Sequence, residues 1–395
     1  MEKITFVIPS RNNLEFIQLA YDSIRNLETK HEILILNDAS TDGTKEWIDN
    51  LGDDDLIVYH NEGPERIGIV GMFDKGIEMA RTDIIFAFHA DMIAAPKLDE
   101  NILKHLERGK VVSATRVEPA LHPPGPEKIT MNFHIGRGAE ADNFDHEEWL
   151  HWCNEIGLKN DKTTKGIFAP WCMYKEDFLA IGGHDNLFAP QSKEDSDLFN
   201  RMQLAGYKFI QPWNALVYHF TSRGSRFNKH SGGAAGKDSN EWIQTTTKNG
   251  REFIRKWGHF IKHDRFMKPI IPPKYDIGLI LNNCNNIQFL EALEPWCSNV
   301  YVDNVRLKYI TMEQPKTRYS LSYRVLPLEN DKLNDILIEI DCTKFDNTEF
   351  NYIQNMSEII SSDSDIETGS FELGRLKITI LDLKTVKQDI IVCES

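Results

Sequence analysis

The stretch IIFAFHADMIAAP, residues 84 to 96, sets His89 and Asp91 two positions apart at the end of an apolar run. Residues two apart in an extended chain share a face, so this imidazole and carboxylate could hold one metal ion between them. They could equally be the polar end of a strand where it reaches water. A second cluster, KEDSDL, places Glu194, Asp195 and Asp197 at the head of a helical pattern, where the helix dipole favours acidic residues whatever else they do. Asp38 closes the apolar run EILILN and can accept hydrogen bonds from a base or a ribose, although its surroundings, NDASTDGT, are rich in capping and turn residues. The segment RGSRFNKHSGGAAGKDSN, residues 223 to 240, carries Arg223, Arg226, Lys229 and Lys237 on a glycine- and serine-rich loop that would suit a lid over phosphates.

The elements that must position these residues alternate in hydrophobic period. ITFVIP, HEILILND, LIVYHN and DIIFAFHAD read as strands, separated by the helical patterns LEFIQLAYDSIRNL, TDGTKEWIDNL and GIVGMFDKGIEMA. Such alternation with short connections implies right-handed crossovers and a mostly parallel α/β sheet flanked by helices. Ligands bind such sheets beyond the carboxyl ends of their strands, which selects PSRNN, NDASTDGT and HAD together. Residues 113 to 165 are less regular. After them come the helix KEDSDLFNRMQLAG and the strand ALVYHFTS. From about Tyr275 the pattern starts again, with YDIGLILNN, IQFLEALEPW, DILIEID, RLKITILDL and DIIVCE. The expected organisation is a domain over residues 1–225 that carries the chemistry-bearing clusters, a flexible loop and helical extension over 226–272, and a smaller C-terminal α/β domain over 273–395.

The 395 residues suffice for two or three domains, and 41% hydrophobic with 27% charged content is ordinary for a globular protein. A formal charge of −15 argues against a general nucleic-acid binder. The six cysteines (153, 172, 284, 297, 342 and 393) form no CxxC pair or zinc-like spacing, which fits reduced thiols. MEKITFVIPSRNN lacks the pattern of a secretory signal, and no window approaches the roughly 20 apolar residues of a membrane span. A cytoplasmic location is the expectation.

In their order, TFVIPSRNN, EILILNDASTDGT, GIVGMFDKGIEMARTDIIFAFHADM, FLAIGGHDNLFAPQSKEDSDLFNRMQLAGY and VYHFTSRGS resemble the family 2 glycosyltransferases and their GT-A fold over about residues 3–225. The resemblance implies a nucleoside-diphosphate sugar donor and a glycan or other hydroxyl acceptor. Pro9, Ser10, Arg11 and Asp38 match the nucleotide-binding positions. Asp74 stands where the family usually has asparagine, either facing the nucleotide or on a solvated helix face. His89-Ala90-Asp91 stands where the family has Asp-x-Asp, whose last carboxylate binds a cation on the donor diphosphate; the substitution leaves His89 a metal or donor contact, or neither. His219 matches a further metal-binding position, and a mixed imidazole and carboxylate set favours Mn²⁺ over Mg²⁺. Asp195 matches the catalytic base with Glu194 beside it, implying inversion by direct attack. Trp171 and His184 fall among acceptor-site positions, and Arg223 and Arg226 are candidates for the diphosphate.

Two rivals stand beside this reading. A catalytically inactive sugar-nucleotide or glycan-binding protein would explain the altered metal motif, but not the intact Glu194-Asp195 pair. A sugar-nucleotide pyrophosphorylase would need a glycine-rich loop after the first strand, and IPSRNN has no glycine. The C-terminal domain shows no nucleophile, metal cluster or phosphate loop and reads as an accessory or interaction module.

Overall fold

The computed structural model describes residues 2–136 and 138–386; Cys393 and the DIIVCE segment lie outside them. The chain divides into two compact units. The first runs to Thr246 and takes in His263–Ile270; the second comprises Thr247–Lys262 and the described residues from Ile271 onward.

The first unit begins β1 (Ile4–Ser10), α1 (Leu14–Arg25), β2 (Glu32–Asp38), α2 (Thr44–Asp49), β3 (Leu56–Asn61), α3 (Ile69–Met79) and β4 (Ile84–Ala87). Period-2 alternation sorts these strands between two cores. Ile4, Phe6, Ile8, Ile33, Ile35, Ile84 and Phe86 pack with Ile17, Ala20 and Ile24 of α1. Val7, Leu34, Leu36, Ile85 and Ala87 face Met72, Phe73 and Ile77 of α3. Both faces are thus covered, as parallel sheets require. Gly76 lets α3 lie close: a Cβ there would sit 2.5 Å from Val7 Cγ1 and 2.7 Å from Leu36 Cδ1.

The chain continues through β5 (Met92–Ala94), α4 (Leu98–Leu103), β6 (Lys110–Ser113), β7 (Thr115–Glu118), β8 (Ile129–Thr130), α5 (His146–Glu155), β9 (Thr163–Thr164), β10 (Trp171–Tyr174), α6 (Lys175–Ala180), α7 (Glu194–Leu204), β11 (Lys208–Pro212), β12 (Leu216–His219) and α8 (Asn240–Trp257). The main sheet has the order β3-β2-β1-β4-β10-β6-β11-β9. Strands β3, β2, β1 and β4 are parallel, and β10 runs antiparallel to β4 and β6.

The fourth strand differs from its sequence reading. DIIFAFHAD leaves the main sheet after Ala87, and the chain enters a second sheet of order β5-β12-β7-β8. There β12 pairs antiparallel with β5, setting His219 opposite Met92, and parallel with β7, setting Tyr218 beside Val117. Its apolar face packs on α5 through Ile93, Val117, Tyr218, Phe220 and Trp149. His89 and Asp91 therefore lie on the passage between two sheets.

The second unit carries β13 (Ile277–Asn282), β14 (Asn299–Tyr301), β15 (Val325–Leu326), β16 (Ile336–Asp341), β17 (Gly369–Leu373) and β18 (Leu376–Ile380), ordered β15-β14-β13-β16-β18-β17. The first four are parallel and the last two antiparallel to their neighbours. The later part of α8 belongs to this unit, where buried Arg255 meets Glu252 at 2.6 Å, Glu294 at 2.6 Å and Glu313 at 2.8 Å.

Candidate active site in the first unit

A cavity of about 260 Å³ opens where β1, β2 and β4 end and the second sheet begins, lined by Pro9, Ser10, Arg11, Asp38, His89, Asp91, Glu194, Asp195 and His219. Nine expected site residues, far apart in sequence, thus come together. A larger neighbouring cavity, about 750 Å³, shares Asn13 with it but holds none of the candidate ligands or bases.

Asp38 sits at the end of β2 and holds the loop ahead of α3. Its Oδ1 accepts from Asn61 Nδ2 and the Ile67 amide, both at 2.8 Å, and its Oδ2 from the Gly68 amide at 2.7 Å. Gly68 has φ +90°, and a Cβ there would lie 2.4 Å from the Pro190 carbonyl oxygen. Only glycine fits that approach.

His89, Asp91 and His219 each offer one ligand atom, all within 4.8 Å of one another. His219 Nε2 is 3.6 Å from Asp91 Oδ2, while its Nδ1 is 2.8 Å from Oε1 of Glu118 at the end of β7. Asp91 Oδ2 also accepts the Arg223 amide at 2.6 Å. Burial alone would depress His219, but Asp91 and Glu118 outweigh it and its pKa is raised to about 9. Burial works against ionised Asp91 too, yet His219 and then His89 bring its pKa down to about 2. Burial lowers the pKa of His89, favouring the neutral imidazole that a metal needs. Two imidazoles and one carboxylate at this spacing fit a divalent transition metal.

Across the same cavity, α7 presents Glu194 and Asp195 in its first turn. Ser192 and Lys193, immediately before, have φ +78° and +76°. Two consecutive non-glycine residues in the left-handed region are strained, and such strain concentrates at functional sites. Glu194 is buried, and its Oε2 has no hydrogen-bond partner. Burial, and after it the charge of Asp195, raise its pKa from 4.5 to about 8. Between these values the folded protein binds a proton that the unfolded chain has lost, so stability falls as pH rises through that window. Glu194→Gln, which cannot ionise, is expected to flatten that slope and to be the more stable protein above pH 8. Urea midpoints at intervals from pH 5 to 9 would check this, and parallel profiles would refute it. Asp197 serves the scaffold: its Oδ2 accepts from Arg201 Nε at 2.8 Å, and Arg201 also donates to the carbonyls of Ile181 and Gly183.

The structure departs from the sequence reading at five residues. Trp171 lies within the main sheet, 1% exposed and stacked on Phe178, so it has no face for an acceptor. His184 and Asp74 bind each other: the carboxylate accepts the His184 amide at 3.0 Å and lies 2.6 Å from its Nδ1. This pair pins the loop after α6 to α3 and lies outside the cavity. Arg226 is tied to Asp238. Arg223 reaches the site only through its amide, since its guanidinium turns to Glu140 and the Ala139 carbonyl.

Sequence reasoning missed Arg66, Phe73, Arg116, Glu118, Gln191 and Trp242, which also line the cavity. Glu118 and Arg116 sit in SATRVEP, whose apolar character is too short to announce a strand.

Residues 5–175 match the family model described as Glycosyl transferase family 2. Undecaprenyl-phosphate mannosyltransferase of Micrococcus luteus is 23% identical over 120 residues, 30% of this chain and 49% of that protein, so the match spans about half the length of that relative. Three solved structures are similar in part. GalNAc-T7 with UDP, GalNAc and Mn²⁺ is 13% identical with a TM-score of 0.47, covering 65% of this chain and 48% of that one. The mannosyltransferase PcManGT from Pyrobaculum calidifontis, in complex with GDP-Man and Mn²⁺, is 17% identical with a TM-score of 0.40, covering 64% and 63%. S. aureus TarS 1-349 in complex with UDP is 12% identical with a TM-score of 0.39, covering 55% and 60%. The match to Glycosyl transferase family 2, residues 5–175, thus lies within the first unit, the one that holds the cavity.

Proposed function

We propose that the first unit is a metal-dependent, inverting glycosyltransferase that moves a hexosyl or N-acetylhexosaminyl group from a nucleoside-diphosphate sugar to a hydroxyl acceptor. The observation that carries this reading is that the ligand set His89, Asp91 and His219 faces the same cavity as the carboxylates Glu194 and Asp195. Asp195 takes the proton of the acceptor hydroxyl as its oxygen bonds to the anomeric carbon; the bond from that carbon to the phosphate oxygen breaks, and the nucleoside diphosphate leaves with the electron pair. When bound, the metal would neutralise charge on that leaving group. Glu194, held protonated at neutral pH, donates a hydrogen bond to a sugar oxygen, and Asp38, Ser10 and Arg11 hold the nucleotide.

The second unit serves acceptor recognition or assembly, and the enzyme acts in the cytoplasm on a glycan or other hydroxyl acceptor. Among the described residues no helix is long and apolar enough to cross a membrane. An inactive sugar-nucleotide-binding protein would have no use for a strained loop presenting two carboxylates to the ligand cavity.

The test is donor hydrolysis across a panel of UDP-, GDP- and dTDP-sugars with Mn²⁺, Mg²⁺ or EDTA. Slow hydrolysis of one donor is expected with Mn²⁺, weaker with Mg²⁺ and absent with EDTA. Tight metal-independent binding, without turnover in the presence of hydroxyl acceptors, would favour the binding protein.

A further inference from the structure

We propose that Glu118 is a positioning residue for the metal centre: it takes the Nδ1–H of His219 and so turns the Nε2 of that ring toward Asp91 and the cation. The inference rests on the metal-dependent reading of the same cavity and deepens it.

An imidazole binds a metal through a nitrogen that carries no proton, and the partner of the other nitrogen decides which one that is. An ionised carboxylate can only accept, so Glu118 Oε1, 2.8 Å from His219 Nδ1, requires that nitrogen to donate. A cation would take the ring in its neutral form, and with Nδ1 bound to donate, the nitrogen that gives up its proton and offers the lone pair is Nε2, the atom 3.6 Å from Asp91 Oδ2. Strand register builds this row. Strand β12 lies between β5 and β7, so His219 at its end has Asp91 ahead of β5 on one side and Glu118 closing β7 on the other.

Glu118 is itself kept ionised in a buried place. Arg116 Nη1 lies 2.8 Å from its Oε1 and Lys128 Nζ 2.8 Å from its Oε2, and all three side chains are nearly inaccessible. A bare ion cluster would be satisfied by these two cations. The third bond, to His219, is the one that points at the donor set.

The experiment is Mn²⁺ binding by calorimetry, without donor, on wild type, Glu118→Gln, Lys128→Met and His219→Ala, with melting temperatures of the metal-free proteins. A glutamine offers one accepting and one donating end, so it no longer dictates which His219 nitrogen carries the proton. Glu118→Gln is expected to weaken Mn²⁺ binding about 10- to 100-fold. Lys128→Met leaves both the Glu118–His219 bond and the Arg116 guanidinium that keeps Glu118 ionised in place, so it is expected to bind Mn²⁺ close to wild type, even if it melts lower. A merely structural role would lower the melting temperature of both variants and leave the affinity of the folded protein alone.

Near-wild-type affinity in Glu118→Gln, beside lost binding in His219→Ala, overturns the positioning role and leaves the metal centre standing. Equal loss in Lys128→Met and Glu118→Gln assigns the effect to the ion cluster and also overturns it. No Mn²⁺ binding by wild type, or unchanged binding in His219→Ala, overturns both the positioning role and the metal reading beneath it.

Discussion

Asp195→Asn is expected to lower turnover by about 100- to 10,000-fold while leaving donor affinity close to wild type. Asparagine keeps the shape and the first-turn position on α7 but cannot accept a proton at neutral pH. Glu194, its neighbour, cannot replace it there, because burial, the largest cause of its raised pKa, still favours the protonated carboxyl once the Asp195 charge is gone. Glu194 and Asp195 are thus set apart by environment: one buried without a partner for Oε2, the other half-buried at the cavity wall. Asp197→Asn supplies the contrast. It weakens the buried bond to Arg201 and should appear in the melting temperature more than in turnover per folded molecule. Rapid-quench turnover with saturating donor, beside calorimetric donor binding, separates the cases. Wild-type turnover in Asp195→Asn would remove it as the base.

The sheet was legible because its information is local. Each of β1, β2 and β4 carries apolar residues on both faces, and helical patterns stand between them, so a parallel sheet covered on both sides is the arrangement that buries them all. The second sheet was not legible in the same way. β5 has three residues and β7 four, and β5 continues an apolar run that reads as one strand with β4. Nothing in the period of IIFAFHADMIA tells where the chain changes sheets; the pairing of β5 with β12, more than 100 residues on, decides it.

The site divides along the same line. Residues at or just beyond the ends of the first strands, such as Ser10, Asp38, His89 and Asp91, could be placed at one end of the sheet by topology alone, whereas His219 was placed by motif position, and all line the cavity. Trp171 and His184 were assigned by motif position without knowledge of where their side chains turn, and both are buried elsewhere. Asp74 shows why: a carboxylate on the second turn of a helix is ambiguous until its partner is known, and here the partner is His184, 110 positions away. Glu118 was missed for the complementary reason. Its value comes from contacts with Arg116, Lys128 and His219, and only the last two are distant enough in sequence to hide it.

Asp91→Ala is expected to cost about 1,000-fold in Mn²⁺-dependent turnover, equivalent to several kcal/mol of transition-state stabilisation. The residue does two things, and the substitution removes both. On the proposed function it supplies the anionic ligand between His89 and His219, and its Oδ2 accepts the Arg223 amide that ties the following loop to the site. Asp91→Asn separates them, since an amide oxygen can still accept from Arg223 but carries no charge to offer a cation. If the charge matters most, Asn and Ala lose similar amounts of Mn²⁺ affinity; if loop anchoring dominates, Asn retains most of the turnover. The depressed pKa adds a control. Burial opposes ionisation but His219 and His89 prevail, so the folded pKa, about 2, lies below the ordinary 3.8, and the stability this gives is present above that ordinary value and lost as pH falls toward 2. Metal-free Asp91→Ala should therefore melt lower than wild type at pH 7, and the difference should shrink in acid. Turnover must then be compared per folded molecule across a wide Mn²⁺ range. Full Mn²⁺-dependent turnover in the alanine variant would move the metal away from His89-Ala90-Asp91 and leave that stretch as the turn that carries the chain from one sheet to the next.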